Sequence, residues 1–167
     1  MEQIVVQPPP MHAAGVRYAG FWRRSVAYII DELILGVFSF ILLIPFFLMI
    51  GLSTFSNHEF EPESSVGLVF AMVSAYAFAL CLILLGKWLY YALMESKKGA
   101  TLGKMAMGIR VTDMEGNQIS FARGTGRYFG KILSGLTLTI GYMMAGWTQQ
   151  KQALHDILAG CLVVLKQ

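Results

Sequence analysis

Residues 33–55 read LILGVFSFILLIPFFLMIGLSTF, without one charged side chain. About 20 apolar residues in a helix cross the ~30 Å hydrocarbon core of a bilayer. The run is long enough to span, and Pro45 inside it is expected to kink the helix. A second charge-free run covers residues 66–86. It is followed by Lys87, Trp88, Tyr90 and Tyr91, the mixture of aromatics and a cation that a membrane interface favours. A third apolar run, residues 132–147, is shorter and holds Gly135, Gly141 and Gly146. Its length leaves two readings open, a tight crossing or a re-entrant hairpin.

Composition agrees with these runs. The chain has 167 residues, 56% of them hydrophobic and only 14% charged. A soluble domain carries about 25% charge. A water-soluble globule needs more polar surface than this chain can supply. A soluble enzyme, a disordered tail and a nucleic-acid binder are therefore set aside. Residues 1–17, with Pro8, Pro9 and Pro10, are expected to form a disordered leader rather than a secretory signal. Residues 18–167 form the membrane domain. Cys81 and Cys161 lie in apolar surroundings without a second Cys or a His at ligand spacing, and are expected to be buried and reduced.

Charge placement sets the orientation. The loop between the first two runs carries Glu59, Glu61 and Glu63 and no cation. Arg17, Arg23 and Arg24 precede the first run. Lys87, Lys97, Lys98, Lys104, Arg110, Arg123, Arg127 and Lys131 follow the second. Lys and Arg are retained on the cytoplasmic side. The N-terminus and the central basic segment are thus expected on the cytoplasmic side of a cell membrane. The loop Lys97, Lys98, Lys104 and Arg110 is also expected to attract the anionic inner leaflet. Residues 108–121, GIRVTDMEGNQISF, read as a β-hairpin turning at Glu115-Gly116-Asn117. The tail Leu162-Val163-Val164-Leu165 reads as a strand that could pair with it, which favours a cytoplasmic tail.

Small residues recur at helix-packing intervals: Ala71, Ala75 and Ala79, then Gly126, Gly130 and Ser134. Such stripes allow close backbone approach in lipid. Packing within one protomer is the first reading and a homodimer face the second.

The charges that stand out are those the membrane should reject. Arg24 opens the first helix, and Asp31 lies seven residues on along the same face, about 10 Å deeper. A carboxylate at the bilayer centre costs ~2.5–3.5 kcal/mol on insertion scales. Asp31 therefore needs a partner from another segment. Glu32 points elsewhere and can reach the headgroups. Asp156, in Leu154-His155-Asp156, is the other acidic group within an apolar tail.

The stretches YAGFWRRSVAYIID (18–31), SKKGATLGKMAMGIRVTDMEGNQIS (96–120) and QALHDILAGCLVV (152–164) together resemble the RDD family of small membrane proteins. The family is named for one Arg and two Asp, and the resemblance carries those roles to Arg24, Asp31 and Asp156. Cys161 stands where that family commonly has Thr. The resemblance implies transport of an ion or small ligand, or an assembly role. Three functions compete for the charged cluster. It can be structural, neutralising Arg24, with Lys104 or Arg127 as further partners, against the two aspartates. It can carry a proton or Na⁺ at Asp31, which would require an oligomer to enclose a path. It can belong to a surface that docks a membrane partner.

Other chemistry finds little support. Gly99-Ala100-Thr101-Leu102-Gly103-Lys104 has three residues between its glycines, not the four of a phosphate loop, and Met105 follows the Lys. His12, His58 and His155 share no metal-ligand spacing. His155 and Asp156 project about 100° apart on a helix. No catalytic residue, cofactor or metal is therefore assigned, and an enzyme is not expected. The fold expected is a mainly α integral membrane protein. It has two long transmembrane helices, a third shorter hydrophobic segment and a small cytoplasmic β-hairpin.

Overall fold

The computed structural model describes residues 16–56, 62–137 and 140–166. Most of the expected leader, Glu59 and Glu61 lie outside the described residues. Helix α1 runs Phe21–Ser56 and α2 runs Pro62–Lys98. Then come α3 (Leu102–Ala106), β1 (Ile109–Asp113), α4 (Phe121–Leu136), α5 (Ile140–Met143), a 3₁₀ turn (Met144–Gly146), α6 (Leu154–Ala159) and β2 (Cys161–Leu165).

The chain divides into two compact units. One is Glu32–Leu89, the charge-free lengths of α1 and α2 with their flanks. Within it Lys87 Nζ lies 2.6 Å from Glu32 Oε2, and the rings of Phe46 and Tyr76 meet at 5.7 Å. Its large side chains face outward: Phe38, Phe40, Leu48, Phe70 and Phe78 are each more than half exposed. Such a surface suits lipid and not water. Both long helices hold stretches long and apolar enough to cross a membrane, Phe21–Leu52 and Val69–Lys98. Pro45 sits inside α1 without interrupting it. Cys81 is exposed on α2 rather than buried, because the apolar run around it faces outward as well.

The second unit combines Met1–Asp31 with Tyr90–Gln167. Its apolar core is small: Ala19, Ala27, Ile109, Val111, Ile119, Cys161 and Val163. Strand β1 alternates inward Ile109 and Val111 with outward Arg110, as a half-buried strand must. It pairs antiparallel with the tail strand β2, placing Ile109 opposite Leu165 and Asp113 opposite Cys161. The tail thus finds the partner its β-branched sequence calls for. The turn after β1 also closes, with Asp113 accepting from the N–H groups of Glu115 and Asn117. Residues 117–120 do not continue as a strand, so the antiparallel pair is β1 with β2 rather than two arms of 108–121. On the other side of β2, Leu165 N–H donates to the Arg17 carbonyl and Ala19 N–H to Val163. Arg17, assigned above to the leader, is therefore tied to the sheet.

The third apolar run does not form one spanning helix. It is the end of α4, then α5 and the 3₁₀ turn. Helix α4 buries Gly124, Arg127, Gly130 and Ser134 on one face, while Gly126 lies on the other. Its Gly130 lies against the backbone of His155 in α6.

Gly103 shows why the loop after α2 needs its glycines. A methyl group there would strike the Ala27 carbonyl and come within 2.9 Å of Asp31 Cγ. Helix α3 thus rides directly on the backbone of α1. Gly103→Ala should cost about 1–3 kcal/mol or more as overpacking against rigid backbone. Gly126→Ala, which meets open space in α4, should stabilise by about 0.5–1 kcal/mol through helix propensity. Thermal unfolding of the detergent-solubilised protein checks the opposite signs.

Candidate functional site

Asp156 occupies the first turn of α6, where its carboxylate bonds back to the Ala153 N–H at 3.1 Å. That bond caps the helix and aims the second oxygen toward α4. Arg127 Nη2 meets Oδ1 at 2.5 Å, and Arg24 Nη1 pairs with Oδ2 from α1. Arg24 also donates through Nε to the Ala19 carbonyl at 2.9 Å. One carboxylate therefore joins both ends of the unit. Asp156 is 0% exposed and Arg127 1%.

The other hub is Glu95, near the end of α2 and 1% exposed. Its Oε2 accepts from Arg127 Nη1 at 3.1 Å, its Oε1 pairs with Lys104, and Lys131 Nζ stands 3.9 Å away. Lys131 also lies 3.8 Å from the centre of the Tyr91 ring, a cation–π contact. Arg127 bridges the two carboxylates, so one network links α1, α2, α3, α4 and α6.

Asp31 is fully buried but not part of this network. Its carboxylate accepts from Tyr90 Oη at 2.8 Å, Thr101 Oγ1 at 2.5 Å and Gly103 N–H at 2.7 Å. Tyr90 Oη in turn accepts from Leu102 N–H at 3.0 Å. Asp31 thus caps the start of α3 from another helix, using neutral donors in place of a cation. The structure brings Arg24 to Asp156 and sends Asp31 elsewhere. Of the basic loop, Lys97, Lys98 and Arg110 are exposed, whereas Lys104 is buried against Glu95.

Burial and charge together set the protonation states. Burial opposes the Arg127 charge, but Glu95 and Asp156 outweigh it and raise its pKa. Burial likewise opposes the Asp156 carboxylate, and Arg127 and Arg24 hold it well below the usual range. Lys104 is lowered by burial, with Glu95 opposing. Lys131 falls to about 7, through burial that its distant carboxylate does not offset. His155 falls to about 3 by burial and stays neutral. Its Nε2 reaches to 3.5 Å from Asp156 Oδ1, and its Nδ1 lies 3.2 Å from Ser134 Oγ. Ser134 is 0% exposed and donates to the Gly130 carbonyl at 2.9 Å, so this Ser–His–Asp contact offers no accessible nucleophile.

Glu95 was not among the residues singled out from the sequence. It stands in Glu95-Ser96-Lys97-Lys98, where the neighbouring cations read as a membrane-retention signal. A lone acid at the end of an apolar helix, among cations, was the available sign. Tyr90 read as part of an aromatic belt and serves here as a hydrogen-bond donor.

The comparisons with known proteins agree with this layout. The RDD family model matches residues 18–160. The chain belongs to the RDD family, and is a membrane protein with two candidate spans. It is 36% identical over 149 residues to the uncharacterized protein YxaI of Bacillus subtilis (strain 168), covering 89% of this chain and 97% of that one. It is 30% identical over 153 residues to the uncharacterized membrane protein YteJ of the same organism, covering 88% and 80%. No solved structure matches.

Two outcomes follow. Glu95→Gln strands Lys104, Arg127 and Lys131 beside a neutral amide. It should cost about 3–5 kcal/mol, as removal of one partner from a buried ion network does. Glu32→Gln, at a partly exposed pair, should cost no more than about 1 kcal/mol. Thermal melts of the two variants check the contrast. Between pH 7 and 10.5 the unfolded chain holds a proton on Lys131 that the folded chain has shed. Unfolding then takes up a proton, so stability rises with pH across that window. Lys104 adds in the same direction. The melting temperature should be higher at pH 9 than at pH 6.5, and Lys131→Met should shrink that rise.

Proposed function

We propose that this RDD protein is a membrane subunit that assembles with or binds other components, and that its Arg/Asp cluster is structural rather than a conduction path. The observation that carries this reading is the commitment of the buried carboxylates. Asp156 is shared by Arg24 and Arg127 and caps α6. Glu95 is shared by Lys104 and Arg127. Asp31 accepts one hydrogen bond from Tyr90 of α2 and two, from Thr101 and Gly103, that fasten the start of α3 to α1. None is placed as a site that must load and release a cation. The lengths of chain best suited to cross the membrane, 33–55 and 66–86, carry no ionisable relay apart from Tyr76 and Cys81. A path between two such helices would offer a cation no carboxylate.

The charge asymmetry supports an N-terminus on the cytoplasmic side of a bacterial inner membrane. The pairing of β1 with β2 supports the same side for the tail, since both strands of one sheet share a compartment. Transport is the second reading. It is favoured by Asp31, a fully buried carboxylate within a helix long enough to span.

Reconstituted vesicles separate the two. Wild-type protein should give no proton or Na⁺ flux above protein-free vesicles. Asp31→Asn should lower the melting temperature, by about 2–4 °C for each kcal/mol lost from a chain of this size. A cation flux in wild type that Asp31→Asn abolishes while leaving the fold intact would overturn the structural reading.

A further inference from the structure

The network has a surplus of positive charge beside an open space. A cavity of about 550 Å³ is lined by Arg24, Lys104, Arg127 and Lys131. Their neighbouring carboxylates are Glu95 and Asp156, so four basic side chains face two carboxylates, Lys131 carrying its proton below about pH 7. Asp31 also borders the cavity, but its oxygens are taken by Tyr90, Thr101 and Gly103. Even counting it, four basic side chains stand against three carboxylates, an excess that is complete below about pH 7, where Lys131 is protonated, and His155 is neutral.

Donors are left over as well. Among the described residues, Arg24 Nη2 and Arg127 Nε are buried without a hydrogen-bond partner. Arg127 is 1% exposed. A buried, unmade guanidinium bond is costly, and an oxyanion is the chemistry that satisfies it. Lys131, 3.9 Å from its carboxylate, is the most loosely held of the four.

Much of the remaining wall is apolar or aromatic, with Ser25, Tyr142 and His155 lining it as well. Phe21, Tyr28 and Ile29 come from the first turns of α1 and Met143 from the end of α5. Tyr28 and Ile29 are about half exposed, and α1 runs on from them into its charge-free length. A small inorganic anion would leave this apolar wall unused. An amphiphile uses both parts.

We propose that this cavity binds the phosphate of an anionic phospholipid, held by Arg24, Arg127 and Lys131, with the lipid's apolar part lying along α1. The site differs from attraction of the exposed Lys97 and Lys98 to a charged leaflet. It takes one headgroup, in a pocket whose cations are already aligned by Glu95 and Asp156. It does not depend on whether the chain transports.

The test uses the full chain, purified and delipidated in detergent. Phosphatidylglycerol, phosphatidylcholine and glycerol phosphate are titrated separately, with bound mass read by native mass spectrometry and stability by thermal melts. One phosphatidylglycerol should be retained, with a rise in melting temperature that phosphatidylcholine does not produce. Lys131→Gln should weaken that binding about tenfold, the scale of one hydrogen bond to a charged group. Lys131→Arg should restore most of it. Lys97→Gln with Lys98→Gln should leave it unchanged. Equal retention of both lipids overturns the proposal, and that comparison in wild type needs no variant. Glycerol phosphate matching the intact lipid overturns the lipid assignment in favour of a free-phosphate site. A loss in the Lys97/Lys98 variant as large as that in Lys131→Gln overturns the pocket in favour of bulk leaflet charge.

Discussion

A charge removed from water must find its opposite, and in this chain one carboxylate serves two such needs. Asp156 receives Arg24 from α1 and Arg127 from α4 while capping its own helix. Arg127 then reaches Glu95, which gathers Lys104 and Lys131. The first and last described stretches of the chain, more than a hundred residues apart, meet through this chain of contacts. Taking any member away leaves a neighbour charged and dry. That constraint places α3, α4 and α6 around the start of α1 and the end of α2 more firmly than the small apolar core could.

The core is small because the side chains near the charges are small. Ala19 and Ala27 bring backbone close, and Gly103 brings α3 close enough for its N–H to reach Asp31. Close approach and carboxylate capping are one event here. Asp31 has no cation because its donors arrive as a hydroxyl, a phenol and an amide, all at hydrogen-bonding distance. Hydrogen bonds from neutral groups can hold an ionised carboxylate as well as a salt bridge can, when several converge.

The long helices were legible in the sequence because lipid imposes a length and an absence of charge, and both are countable. The tail strand was legible because Leu162–Leu165 is an apolar run centred on the β-branched Val163 and Val164. The meeting of Arg24 with Asp156 was legible as a need, since neither belongs alone in apolar surroundings. What was hidden was assignment. Asp31 lies about 10 Å deeper than Arg24 on the same helix face and was expected to need a partner from another segment, while the family resemblance grouped it with Arg24 and Asp156. Only the fold could show that Thr101 and Gly103 stood nearer. Lys104 looked like its exposed neighbours Lys97 and Lys98 because a sequence does not show which cation of a basic segment turns inward. Glu95 was masked by the same cations. The second arm of 108–121 failed as a strand because β2 takes the place beside β1.

A buried ion pair is weak evidence for net stability, since apolar residues of the same volume often do as well. Its distinctive property is directionality. The two-stranded sheet of β1 and β2 has five residues on each side and would be marginal alone. Its alternation forbids a slip of one residue, which would turn Arg110 inward, but not a slip of two. The carboxylate of Asp156 lies five residues before β2 and must meet two guanidinium groups at once. A displacement of α6 relative to α1 and α4 would strand all three charges together. Apolar packing draws these segments into proximity, and the shared carboxylate selects one arrangement among those that packing alone would permit.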